Sequence, residues 1–248
     1  MKTLIVIPSR YKSSRLPGKP LKKILNKELI LWVLHACKKL ISKETKLITA
    51  TDNKKIFSLV KKNNYEAIMT SDKCLTGTDR VAQVANKINA NIYINVQGDE
   101  PLVSYKDVQK IIKAKKKYKN HIICGFTKLN HDENENNKNI PKVVINKNNE
   151  LLYISRSPIP SSKEKSKEKI KYLKQVCIYA FNKKELAIFQ KVKNKNSLEK
   201  YEDIEIIRFL ELGKKVKMIR LKTKSYAVDV LKDIKKVEKI IKKNVKKT

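Results

Sequence analysis

Glycine is scarce in this 248-residue sequence, five in all, and the glycine-built phosphate signatures are missing with it. There is no G-x-x-x-x-G-K-[ST] and no G-x-G-x-x-G, which excludes an ordinary P-loop and a dinucleotide fingerprint. Cys37, Cys74, Cys124 and Cys177 show no C-x-x-C spacing, and three histidines do not complete a zinc set. Reduced thiols in a cytoplasm are the simpler expectation. No apolar run approaches the roughly 20 residues a membrane helix needs. Met1-Lys2 leads directly into strand-like sequence, so no secretory leader is expected either. Acid is in short supply: 24 Asp and Glu face 58 Lys and Arg, a net charge of +34. Such an excess suggests nucleic acid. The lysines are spread over every segment, however, which reads as a solvated surface with a generic pull on anions. No nucleic-acid partner is expected. Arginine is the informative cation, because only six of the 58 are Arg.

What is present is an alternation of strand-like and helix-like segments, which predicts an α/β fold with a mostly parallel sheet. Strands are expected at 3–8, 46–51, 65–69, 91–96, 173–181 and 216–221, and a hairpin at 141–146 and 150–154. Helices are expected at 27–40, 54–62, 79–88, 103–118, 183–192, 198–212 and 231–243. Thr78 is placed as the cap of the 79–88 helix, and Gly213 as the stop of 198–212. After 122–128 the pattern changes: 132–139 reads as a mobile polar loop, and 161–171 as a disorder-like flap or connection. The chain is long enough for one domain with a small elaboration, and no repeat or long linker divides it.

Chemistry concentrates in a few loops. Residues 7–20, Ile-Pro-Ser-Arg-Tyr-Lys-Ser-Ser-Arg-Leu-Pro-Gly-Lys-Pro, follow the first strand. Guanidinium forks suit bidentate phosphate binding and Lys adds a mobile charge, while Gly18 lets backbone approach a ligand. A basic loop at the carboxyl end of the first strand is where an α/β sheet binds an anion. The 91–96 strand delivers Gln97-Gly98-Asp99-Glu100-Pro101, which reads either as a site for a metal carboxylate or as a plain turn.

Together these motifs resemble the CMP-Kdo synthetase (3-deoxy-manno-octulosonate cytidylyltransferase) family. The resemblance runs from the 7–20 loop through Ala50-Thr51-Asp52, Thr76-Gly77-Thr78-Asp79-Arg80 and Asn95 to Pro101. It continues through Ser155-Arg156, Ile159-Pro160, Ile178-Tyr179, Leu198-Glu199, Arg208 and Val228-Asp229, in family order over nearly the whole chain. It implies a single three-layer domain of the nucleotide-diphospho-sugar transferase type, helices on both faces of the sheet, with a β-rich substrate and dimerisation elaboration around 125–182. It also implies a cytoplasmic homodimer that activates a 3-deoxy-2-ulosonic acid (Kdo) with CTP for lipopolysaccharide or capsule synthesis. By that resemblance Arg10, Arg15 and Lys19 hold the triphosphate, with Arg10, Lys19 and Asp99 catalytic. Thr76, Gly77, Thr78 and Arg80 hold the cytidine. Asp99 and Asp229 bind Mg²⁺, and Gln97, Arg156, Gln175, Tyr179 and Glu205 line the sugar.

Plainer readings stand beside several of these. Arg156 could pair with a surface acid, Tyr179 could be core, Glu205 could be an i, i+3 partner of Arg208, and Asp229 could be a helix cap. The sequence also departs from the family pattern. Cys74 and Gln175 stand where His is common, and Tyr226-Ala227 replaces a Thr-Gly pair ahead of Asp229. A related acid sugar, such as an amino analogue of Kdo, is therefore an alternative substrate.

Overall fold

A computed structural model describes every residue except 14, 164–169, 196, 223–225 and 246–248. The elements are β1 (Thr3–Ser9), β2 (Lys23–Ile24), β3 (Lys27–Glu28), α1 (Leu29–Lys38), β4 (Thr45–Thr51), α2 (Lys54–Lys62), β5 (Glu66–Met69), α3 (Gly77–Lys87), β6 (Ile92–Val96) and α4 (Tyr105–Lys117). Then come β7 (Ile122–Lys128), β8 (Lys142–Ile145), β9 (Leu151–Ser155), β10 (Leu173–Phe181), α5 (Lys183–Lys191), α6 (Ser197–Glu202), α7 (Ile207–Glu211), β11 (Val216–Arg220) and α8 (Leu231–Val245).

Among the described residues, nine of the strands form one sheet in the order β11-β7-β10-β6-β1-β4-β5, with the β8–β9 hairpin attached to β10, and β2 and β3 pair separately. β10 runs antiparallel to both β6 and β7, and the other pairs along the sheet are parallel. β1, β4 and β6 therefore end on one edge, at Ser9, Thr51 and Val96. Side chains alternate across the sheet. Ile5 and Ile7 pack with α1, α2, α4 and α8 on one face. Leu4 and Val6 pack with α3, α5, α7 and the hairpin on the other. Burial on both faces is why β1 reads as a continuous apolar run.

Some expected boundaries move for local reasons. The 27–40 helix starts at Leu29, because 27–28 pairs with 23–24 as a two-stranded ribbon. The cap of α3 is Thr76 and not Thr78. Thr76 Oγ1 accepts from Asp79 N–H and Asp79 Oδ2 accepts from Thr76 N–H, a reciprocal box that satisfies two orphan donors. The single helix expected at 198–212 is two, α6 and α7, separated where Asp203 takes a left-handed φ of 49°. Gly213, at φ 66°, ends α7 as expected. Most of the 161–171 stretch, expected to be a flap or a connection, lies outside the described residues.

Candidate active site

The loop after β1 folds back on itself. Gly18 N–H donates to the Tyr11 carbonyl at 3.0 Å, and Gly18 sits at φ 65°, a conformation that favours glycine. Asp52, at the end of β4, fastens this loop to α3. Its Oδ1 accepts from Tyr11 N–H at 3.1 Å and its Oδ2 from Arg80 Nη2 at 2.9 Å. Beneath the loop, the ends of β1 and β6 touch closely: a Cβ on Gly98 would lie 2.6 Å from Ser9 Oγ and 2.9 Å from the Pro8 carbonyl. Glycine is required there by space rather than by φ.

Residues from three distant parts of the sequence meet at this point. Lys19 Nζ donates to Asp99 Oδ2 at 2.8 Å and to Asp229 Oδ1 at 3.2 Å, and Arg15 Nη2 lies 3.0 Å from the same Asp229 oxygen. Val228 N–H donates to the Asp99 carbonyl at 2.9 Å, so backbone as well as side chains joins the two acidic segments. Burial alone would depress the Lys19 pKa, but the two carboxylates outweigh it and hold the ammonium above its ordinary value. Asp229 is not the cap of α8: Asp233 accepts from the Asp229 and Val230 amides instead, leaving the Asp229 carboxylate to Lys19 and Arg15.

These groups form one end of a cavity of about 500 Å³ that opens at the carboxyl edge of the sheet. Its other walls come from Thr76, Gly77 and Arg80, and from Gln175, Cys177 and Tyr179, alternate residues of β10. Gln175 Nε2 donates to Tyr179 Oη at 3.2 Å, and burial pushes the Tyr179 hydroxyl well above the usual phenol range. Glu205 lies in the break between α6 and α7. Its Oε1 accepts from Gln97 Nε2 at 2.9 Å and its Oε2 from Thr78 N–H at 2.8 Å, while burial pushes its carboxyl up to about 7.

Arg208 is not its partner, since that guanidinium is committed to Glu199 and Asp79. Nor does Arg156 pair with an acidic side chain through its guanidinium. Its Nη1 donates to the Lys138 carbonyl at 2.7 Å, its Nη2 to the Asp203 carbonyl at 2.9 Å, and its Nε to the Glu202 carbonyl. Residues 137–139, expected to be mobile, are held by the Lys138 contact, by Arg15 Nη1 donating to Asn139 Oδ1 at 2.7 Å and by Lys142 Nζ donating to the Asn137 carbonyl at 3.1 Å.

Every residue the sequence nominated lines the cavity except Thr78. Its side chain is fully buried and accepts from Asn95 Nδ2 at 3.3 Å, so it serves the site through its backbone N–H alone. Arg80 is 2% exposed and reaches Asp52, Thr70 and Ser71. Lys138 and Lys195 also line the cavity, and sequence reasoning passed over both. Nothing distinguishes either from the many other lysines of the chain.

Among the described residues no group of three or more His, Cys, Asp or Glu could hold a metal ion. A pair of carboxylates at one end of this cavity is nonetheless a donor set that suits Mg²⁺. That ion prefers hard oxygen and commonly takes one or two protein carboxylates, completing its shell with substrate phosphates and water.

Residues 4–217 match the family model for cytidylyltransferases. A 3-deoxy-manno-octulosonate cytidylyltransferase of Fusobacterium nucleatum is 37% identical over 246 residues, covering 98% of each chain. The protein of that name from Escherichia coli is 32% identical over 240 residues, covering 97% of this chain and 96% of its own. The solved structure of a CMP:2-keto-3-deoxy-manno-octonic acid synthetase complexed with CTP superposes with a TM-score of 0.89 at 32% identity, covering 98% of this chain and 100% of that one. The chain belongs to the cytidylyltransferase family, among its 3-deoxy-manno-octulosonate members.

Proposed function

We propose that this protein activates 3-deoxy-manno-octulosonate with CTP, giving CMP-Kdo and pyrophosphate. The observation that carries the reading is the meeting of Lys19, Asp99 and Asp229 at the end of β1 and β6, at one end of the cavity. The names of the full-length relatives support the choice of nucleotide and sugar.

The anomeric hydroxyl oxygen of the sugar forms a bond to the α-phosphorus as the bond from that phosphorus to the bridging oxygen of pyrophosphate breaks, and the hydroxyl proton leaves to solvent. Such a transfer needs positioning and charge neutralisation more than covalent help. Arg10, Arg15 and Lys19 bind the triphosphate, and Arg10 and Lys19 offset charge on the departing pyrophosphate. Thr76, Gly77 and the Thr78 amide flank the cytidine, with Arg80 holding that wall in place through Asp52. On the sugar side, Arg156 offers its remaining N–H donors to the substrate carboxylate. Gln97, Gln175, Tyr179 and Glu205 read the hydroxyls. Asp99 and Asp229 would hold Mg²⁺, which supplies Lewis-acid neutralisation of phosphate charge. The enzyme acts in the cytoplasm as a homodimer, in lipopolysaccharide or capsule synthesis.

Pyrophosphate release across four nucleotides and several ulosonic acids tests the assignment. CTP with Kdo in the presence of Mg²⁺ is expected to give the highest kcat/KM. Preference for an amino analogue would move the sugar assignment, and DNA binding with a steep salt slope and no turnover would overturn the reading.

A further inference from the structure

Tyr226 lies three residues before Asp229 and outside the catalytic cavity, yet it carries an unusual set of contacts. Its hydroxyl lies 2.9 and 3.0 Å from the two Asp132 carboxylate oxygens and accepts from Asn130 Nδ2 at 3.3 Å. Lys236 Nζ, on α8, sits 4.1 Å from the ring centroid and 3.0 Å from Asp132 Oδ2. Lys174 Nζ, on β10, sits 5.4 Å from the ring and is itself paired with Glu133, both side chains being almost buried. Burial, and then the Asp132 carboxylate, push the Tyr226 hydroxyl above the usual phenol range, so it stays a proton donor at any working pH.

The far end of the same loop is tied to the same acidic segment. Asn139 accepts from Arg15, and Arg15 pairs with Asp229. Tyr226–Asp132 and Asn139–Arg15–Asp229 thus close a ring: residues 130–139 on one side, 226–229 on the other. Within that ring, Val228 is bonded to the Asp99 carbonyl.

We infer that Tyr226 is a positioning residue: its hydrogen bond to Asp132 clasps the 130–139 loop to the 226–229 segment and so holds Asp229 beside Asp99 and Lys19. Its importance for catalysis rests on the role given to Asp229 above; the clasp itself does not. Charge-assisted hydrogen bonds of this kind are among the stronger ones, and partners that orient a ligating carboxylate commonly change affinity or activity by about 10-fold or more when lost.

Two variants of the full chain test the clasp. Tyr226→Phe keeps the ring over both ammonium groups and removes only the donor. Asp132→Asn, at an exposed position, removes the charge that accepts. Residue-resolved hydrogen exchange, without ligand or metal, is expected to show the Val228 and Asp229 amides exchanging about 10-fold faster in both, with α2 amides unchanged. In steady state the KM for CTP should rise several-fold and by more than the KM for Kdo, since Gln175 and Tyr179 on β10 bond each other and only Arg156 meets the clasped loop, through the Lys138 carbonyl. General destabilisation would instead lower kcat and leave both KM values alone. Unchanged exchange at Val228 and Asp229, or faster exchange throughout the chain, overturns the inference. Faster local exchange in a protein that transfers no cytidylyl group would leave the clasp standing and overturn the proposed function instead.

Discussion

Glu205 shows how a single side chain can be set by two opposing effects. Donors from Gln97 and Thr78 favour the carboxylate, but burial outweighs them and holds the proton to about 7. In the unfolded chain a glutamate titrates at about 4.3. Between those two values the folded chain keeps a proton that the unfolded chain releases, so this group's contribution to stability falls as pH rises. Glu205→Gln, which cannot ionise, is expected to flatten the decline in urea midpoint between about pH 4.5 and pH 7. It should also remove an inflection near pH 7 from the kcat/KM profile for the sugar. An unaltered stability profile would show that Glu205 is ionised in the folded protein at low pH like an exposed carboxylate.

At the scale of elements, the junction of α3, α6 and α7 depends on Arg208. Its guanidinium is fully buried, donates to both Glu199 oxygens at 2.6 and 2.8 Å, reaches Asp79 Oδ1 at 3.1 Å, and lies 3.8 Å from the Phe189 ring centroid. Removing one member of a buried pair strands the other, at a cost of about 3–5 kcal/mol. Arg208→Met should therefore lower the unfolding free energy by that amount in urea titration. Adding Glu199→Leu should recover part of the loss, because the fully buried Glu199 carboxylate is then no longer stranded and only the more accessible Asp79 has lost its partner. A loss under about 1 kcal/mol, the range of an exposed pair, would mean the cluster does not hold these helices together.

The same region marks where sequence patterns fail. α2 and β10 fall at their expected boundaries, since their apolar spacing is clean and their flanking turns are unambiguous. Residues 198–212 carry helical periodicity without interruption, but tertiary contacts break them: Asp203 turns left-handed and gives its carbonyl to Arg156. Propensity is a weak prior against such contacts. Thr78 was misplaced because Thr76 and Thr78 are equally good caps by type, and only the return bond from Asp79 separates them.

For the molecule as a whole, the charge of +34 acts on how ligands arrive more than on how the chain folds. Raising salt from about 0.1 M to about 1 M shortens the Debye length from about 10 Å to about 3 Å. The KM for CTP, a polyanion, should rise over that range more steeply than the KM for the singly charged sugar acid. Equal slopes would mean the surface lysines do not steer the nucleotide. That background also limits what a sequence can reveal of the cavity. Rare residues in it were legible: Arg10, Arg15, Gly98 and Asp99 stand out against their surroundings. Lys138 and Lys195 were not, because only folding distinguishes them from the other lysines.

In the proposed mechanism Asp99 and Asp229 act as one unit, brought together across the sheet edge around a shared cation. A double-mutant cycle on kcat/KM, measured by pyrophosphate release from Asp99→Asn, Asp229→Asn and the combined variant, addresses it directly. Each single change is expected to cost about 100-fold, and the double variant to be little worse than the poorer single one. Costs that multiply in full would show that the two carboxylates work independently, and the account would be wrong.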